Sequence, residues 1–181
     1  MAAALRKLHP AVQWWCPQLP PSPRLAMQQV MAGIAGWPQQ AGFGSLAVVG
    51  SSLGGFYATA VAERCACRAV LLNPAVNPAR DLKTYIGEQS AWHQPDEKFF
   101  FKAAHVDELR ELHAGPLKAP KNYLAVVAKG DEVLDWREMA DRYPGARIRL
   151  IEGSNHALSD FDLYLPEILD FLQLAGALPP P

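Results

Sequence analysis

Leu46-Ala47-Val48-Val49-Gly50-Ser51-Ser52-Leu53-Gly54-Gly55 is the stretch on which the reading of the chain turns. Its first four residues form a short apolar run with two adjacent valines, the pattern of a parallel strand buried on both faces. The glycine-flanked serine that follows marks a sharp turn, and residues 56–64 continue as a helix. A second buried run, residues 69–72, comes next and is ended by Asn73-Pro74. Residues 123–128 and 147–151 read as further strands, with helices expected over 136–142 and 165–174. Strands alternating with helices imply a mostly parallel sheet with helices on both faces, a three-layer α/β architecture.

Working outward, residues 2–9 read as the end of a helix closed by Pro10, and residues 12–16 as a strand. Pro17-Gln18-Leu19-Pro20-Pro21-Ser22-Pro23 is a stiff loop, because each proline fixes φ and removes a donor. Leu25, Val30, Ile34 and Trp37 then recur at near-helical spacing before Pro38 and Gly42. Residues 81–121 show no obvious strand. They carry Phe99-Phe100-Phe101 and an expected helix over 105–112, and read as a small helical cap insertion packed over one edge of the sheet. The tail Pro179-Pro180-Pro181 is expected to be disordered. At 181 residues, with no internal repeat, the chain is read as one domain.

The turn also carries chemistry. A serine hydroxyl attacks a carbonyl only when it is held clear of the backbone, faces a base and lies beside donors for the developing oxyanion. Gly50 and Gly54 around Ser52 meet the first need, on the expectation that side chains at either position would collide with neighbouring backbone. The backbone N–H of Leu53, at a helix N-terminus, is the candidate oxyanion donor. Lys129-Gly130-Asp131-Glu132-Val133-Leu134-Asp135 follows one later strand, and Glu152-Gly153-Ser154-Asn155-His156 follows the next. In both places a glycine breaks the strand and an acid–base residue lies just beyond, on the rim expected for Ser52. His156 is the candidate base, since it alone among five histidines stands between the last strand and the last helix. His9, His93, His105 and His113 read as packed or surface residues. Asp131 is favoured as the acid because it comes first after its strand. Asp135 is better placed to N-cap the next helix, and Glu132 stands third.

Composition excludes several classes. With 17 basic and 18 acidic residues and a net charge of −1, no strong field steers nucleic acid or an anionic membrane to the surface. The longest apolar runs fall far short of the roughly 20 residues that span a bilayer. The N-terminus lacks an export-signal core, and Cys16, Cys65 and Cys67 are an odd, poorly spaced set, so free thiols in a cytoplasmic setting are expected. No cysteine or histidine pairs stand at zinc-ligand spacing. Trp14 and Trp15, adjacent on an expected strand, point to opposite faces, so one or both are packing residues.

Taken together, Gly50-Ser51-Ser52-Leu53-Gly54-Gly55-Phe56-Tyr57-Ala58-Thr59, Leu72-Asn73-Pro74-Ala75-Val76, the Gly130 to Asp135 loop, Glu152-Gly153-Ser154-Asn155-His156 and Pro17-Gln18-Leu19-Pro20-Pro21 resemble the YqiA-type family of small bacterial α/β-hydrolase esterases. The resemblance implies an α/β-hydrolase-like fold and hydrolysis of carboxylic esters, or of acyl thioesters, through an acyl-enzyme on Ser52. It implies no metal and no organic cofactor, and a small-molecule substrate. It also implies that residues 81–121 cap the acyl pocket, with Phe99, Phe100 and Phe101 as candidate lining, although packing onto the sheet is the expected role of at least two of them. Members of this family begin with a strand ending in His-Gly-Phe, whose loop supplies a second oxyanion N–H, and no His-Gly pair occurs here. The expectation is that Met1 falls inside the family's first helix, with a start codon assigned too late as the favoured explanation and a shortened protein or a degenerate copy as the other two. Two alternatives stay open: a non-catalytic or impaired protein of the same fold lacking the second donor, and acyl transfer to an acceptor other than water.

Overall fold

The computed structural model describes residues 12–37, 46–91 and 94–174, with Met1, Leu5, Lys7 and His9 ahead of them. Helix α1 (Pro23–Ala35) starts as its sequence dictates: Pro23 occupies the first turn and the Ser22 side chain accepts from the Leu25 N–H at 3.3 Å. Strand β1 (Ala47–Ser51) leads through Ser52 into helix α2 (Leu53–Cys65), followed by β2 (Arg68–Leu72). A short helix α3 (Pro78–Asp81) precedes a hairpin, β3 (Gly87–Ala91) with β4 (Gln94–Phe101), and helix α4 (Ala103–Leu112). Strand β5 (Tyr123–Ala128), helix α5 (Trp136–Arg142), strand β6 (Arg147–Ile151) and helix α6 (Leu165–Phe171) complete the order.

The sheet runs β1-β2-β5-β6 with every neighbouring pair parallel. Central β2 and β5 are apolar because both of their faces are covered. Ala58 and Ala62 of α2 and Met139 of α5 meet Ala69, Leu71, Ala125 and Val127 on one face. Ile168 of α6 and Leu158 meet Val70, Leu124 and Val126 on the other. Each fully buried Val or Leu here is worth about 1.5–3 kcal/mol against exposure. Helices on both faces of a parallel sheet are the three-layer arrangement that the strand–helix alternation implies.

Two expectations need correcting. Residues 12–16 form no strand, because no neighbouring strand among the described residues offers a ladder. Residues 81–121, read as lacking a strand, hold the β3–β4 hairpin as well as α4, paired Glu88 to Phe100 and Gln89 to Phe99. The insertion packs against helices at the β1 edge of the sheet, where Val48 joins the same cluster. Phe101, Val106 and Leu109 share a core with Met27 of α1 and Phe56, Tyr57, Ala60 and Val61 of α2, and Phe99 packs against it. Phe100, on the opposite face of β4, is 58% exposed. Trp15 meets Trp37 edge-on with ring centroids 6.4 Å apart, and Trp14 and Trp15 are both partly exposed. Of the expected helix over 2–9, Leu5 and Lys7 are helical and the rest lies largely outside the described residues, as do His93 and the proline tail. No helix among the described residues is long and apolar enough to cross a membrane.

Candidate active site

Parallel strands carry all their C-terminal ends to one rim, so the loops after β1, β5 and β6 open on the same side of the sheet. The structure brings Ser52, Asp131 and His156 together there. Ser52 Oγ lies 3.0 Å from His156 Nε2, and His156 Nδ1 lies 2.7 Å from Asp131 Oδ2. With the imidazole proton on Nδ1, that N–H donates to the carboxylate and Nε2 is free to accept from the serine hydroxyl.

Ser52 sits at φ 53, ψ −123, a conformation that costs a non-glycine residue about 1–3 kcal/mol. It is held by three backbone bonds. Its N–H donates to Leu72 O at 3.0 Å, and its C=O accepts from the N–H groups of Gly55 and Ala75, both at 2.9 Å. Serine at the start of a helix ordinarily caps it. Here the hydroxyl makes no cap bond and is turned to His156 instead. Leu53 N–H is in the first turn of α2, where no intrahelical carbonyl can accept it.

The glycines divide differently from the expectation. A Cβ on Gly50 would lie 2.0 Å from Gly54 O, so a side chain there is impossible without moving the turn. A Cβ on Gly54 would meet nothing within 4 Å. The second constrained position is Gly55, where a Cβ would come within 2.6 Å of Pro74 Cβ. The turn therefore needs Gly50 for its own backbone, and Gly55 for the segment that follows β2.

The Asp131 side chain has no solvent exposure, against 21% for that of His156. Asp131 Oδ1 accepts from the N–H groups of Val133 and Leu134, each at 2.8 Å, which leaves Oδ2 for the imidazole. Asp135 Oδ1 accepts from Arg137 N–H at 2.9 Å and caps α5. Glu132 Oε2 accepts the backbone N–H of His156 at 3.0 Å, and this bond holds its carboxyl below the usual range. The two loops also share backbone bonds: Lys129 N–H donates to Ile151 O at 2.8 Å and Gly130 N–H to Gly153 O at 3.3 Å. Beyond them, the Ser154 hydroxyl donates to Asp160, which also accepts from Tyr164.

Sequence reasoning missed Asn73. Its side chain, fully buried at the end of β2, reaches both the end of β5 and the carbonyls flanking His156. The one signal available was a polar residue at the rim directly after a buried strand. Of the other histidines, His105 is buried and accepts the Lys102 N–H as part of the start of α4. His113 lines a cavity of about 650 Å³ with Phe56, Val76, Leu109, Glu138 and Arg142, which includes none of the three rim residues. Burial, with Arg142 nearby, lowers the His113 pKa. Among the described residues no group of acidic, cysteine or histidine side chains is arranged to hold a metal ion.

The model of the uncharacterised protein family UPF0227, the YqiA family, matches residues 1–173. UPF0227 proteins of Yersinia pseudotuberculosis (serotype O:1b, strain IP 31758) and of Yersinia pestis (biovar Antiqua, strain Angola) are each 28% identical over 153 residues, 84% of this chain and 78% of the relative. Among solved structures, a putative hydrolase from Agrobacterium vitis S4 superimposes with a TM-score of 0.60 at 17% identity, covering 83% of this chain and 68% of the other. Est1E from Butyrivibrio proteoclasticus gives 0.60 at 16% identity over 84% and 70%. Mouse alpha/beta hydrolase domain-containing protein 10 gives 0.60 at 15% over 84% and 70%. The fold is that of the α/β hydrolases.

Proposed function

Since the chain belongs to the uncharacterised protein family UPF0227 and carries Ser52, His156 and Asp131 in one hydrogen-bonded line at its rim, we propose that it is a serine esterase acting on small-molecule carboxylic esters or acyl thioesters. The observation that carries this reading is the continuous line from Ser52 Oγ through His156 to buried Asp131, at 3.0 and 2.7 Å. In the first half-reaction Ser52 Oγ attacks the carbonyl carbon while its proton passes to His156 Nε2. The Leu53 N–H faces the resulting oxyanion, and the tetrahedral adduct collapses to an acyl-serine as His156 protonates the departing alkoxide or thiolate. Water, deprotonated by the same imidazole, then attacks the acyl carbon, and the carboxylic acid leaves as Ser52 regains its proton. Asp131 stays ionised throughout and fixes the imidazole tautomer.

No step in this sequence calls for a metal or an organic cofactor. Unpaired thiols at Cys16, Cys65 and Cys67 support a reducing compartment, and the cytoplasm is the proposed location. A fluorophosphonate probe tests the reading: it should label the parent protein on Ser52, and Ser52→Ala should abolish labelling and lower p-nitrophenyl butyrate hydrolysis by up to about 10⁶-fold. Labelling that survives the substitution removes Ser52 from the mechanism. A parent protein that neither labels nor hydrolyses any ester removes the reaction altogether.

A further inference from the structure

Asn73 is 0% exposed and lies at φ 40, in the left-handed region that asparagine tolerates better than most side chains. Its backbone N–H and both polar atoms of its side chain are used. Its backbone N–H donates to Val126 O at 3.0 Å, and its Oδ1 accepts the N–H of Ala128, the last residue of β5, at 2.8 Å. Its Nδ2 donates to the carbonyls of Asn155 and His156, both at 3.0 Å. The amide can sit only one way round, since the oxygen faces a donor and the nitrogen faces two acceptors. One side chain thus joins the end of β2, the end of β5 and the peptide units on either side of the His156 Cα. Glu132 takes the remaining N–H of His156 from the solvent side.

From this geometry we infer that Asn73 is a positioning residue of the site. It sets the height and rotation of His156 so that one ring nitrogen meets Ser52 while the other meets Asp131. The inference rests on the reading of these three residues as nucleophile, base and acid, and it adds a member that touches neither substrate nor reacting atoms. Only a carboxamide suits the place. A carboxylate keeps the bond from Ala128 but turns an acceptor towards two carbonyls, and an aliphatic side chain leaves a donor and two acceptors without partners.

Asn73→Asp is the primary test, because it keeps size and the tolerance of positive φ. With folding checked by near-UV circular dichroism, its kcat for p-nitrophenyl butyrate is expected to fall about a hundredfold, with KM changed less than about threefold. As pH falls and the introduced carboxyl takes up a proton, its O–H can donate to a carbonyl again, so the ratio of variant to parent kcat should rise. In a His156→Ala background the same substitution should change the residual rate by less than about twofold, since the group it acts through is gone. Independently of turnover, the downfield proton resonance of the imidazole bonded to Asp131, identified by its loss in His156→Ala, should shift or broaden in Asn73→Asp. If Asn73→Asp does not fold, Asn73→Gly, which adopts φ 40 freely, takes its place in the kinetic and resonance measurements. A folded variant with parental kcat and an unmoved resonance overturns the inference, as does an equal loss with and without His156. Should the parent prove inactive on esters, the esterase reading fails by itself, and the resonance still decides whether Asn73 holds the imidazole.

Discussion

The Ser52 turn and the His156 loop follow the two edge strands and meet at the same rim, yet they are held by different means. Ser52 is fixed by backbone alone: a left-handed residue, three main-chain hydrogen bonds, and a glycine at position 50 whose Cβ would lie 2.0 Å from Gly54 O. His156 is fixed from outside, by side chains of Asn73, Glu132 and Asp131 that come from other loops. A turn of the first kind writes itself into a local motif. A loop of the second kind depends on residues tens of positions away, and its own sequence says little about what holds it.

Asp131→Asn should be the most damaging change in the histidine half. To keep the bonds from Val133 and Leu134 the new amide must point its oxygen at them, so its NH2 faces His156 Nδ1 and forces the ring proton onto Nε2, where it cannot accept from Ser52. A loss of about 10⁴-fold in kcat with the fold intact is expected, whereas Asp135→Asn should leave the rate nearly unchanged because that carboxylate serves α5. Equal losses from the two would show that the acid has been misassigned.

Next comes the glycine pair of the turn. Gly50→Ala drives a methyl group into backbone and should cost more than about 3 kcal/mol in urea unfolding, above the usual range for single substitutions. Gly54→Ala, with open space around its Cβ and a place in the first turn of α2, should be neutral or stabilise by up to about 1 kcal/mol. Comparable destabilisation at both positions would mean that the turn is not held by the single contact at Gly50.

The smallest effect belongs to Glu132. Its carboxyl is exposed and held below its ordinary value of 4.5 by the His156 N–H, so the bond contributes above that pH and fades as acid protonates the folded form. Glu132→Gln should lower kcat by less than about threefold at neutral pH. The difference from the parent in thermal stability should vanish as pH drops below the carboxylate range. A difference that grows in acid would reverse the sign and rule out this bond as its source.

Legibility in the sequence follows the same division. Tyr123–Ala128, Arg147–Ile151 and Trp136–Arg142 were readable to the residue, because a continuous apolar run or a capped amphipathic one is a local signal. The convergence of Ser52, Asp131 and His156 on one rim was readable from residue type and from their place after strands. The hairpin was not, because β4 runs through Pro95, Asp96, Glu97 and Lys98 before its phenylalanines and shows no clean alternation. Residues 12–16 had a strand's composition without a neighbour to pair with. Gly54 fitted the motif while Gly55 met the real obstruction, since Pro74 approaches only once β2 has returned beside β1. Asn73 looked like a strand breaker, and its three side-chain bonds exist only in the folded rim.

The paired main-chain bonds from Lys129 to Ile151 and from Gly130 to Gly153 tie together the two segments that carry the Asp131 carboxylate and the His156 imidazole. The line to the serine is completed by the bond between Ser52 and His156, beside the Asn73 bonds that tie the His156 loop to the end of β2. On the proposed reading, a motion that lengthens the bond from Ser52 to His156 and leaves these ties intact changes how often the hydroxyl is activated without changing the tautomer that activates it.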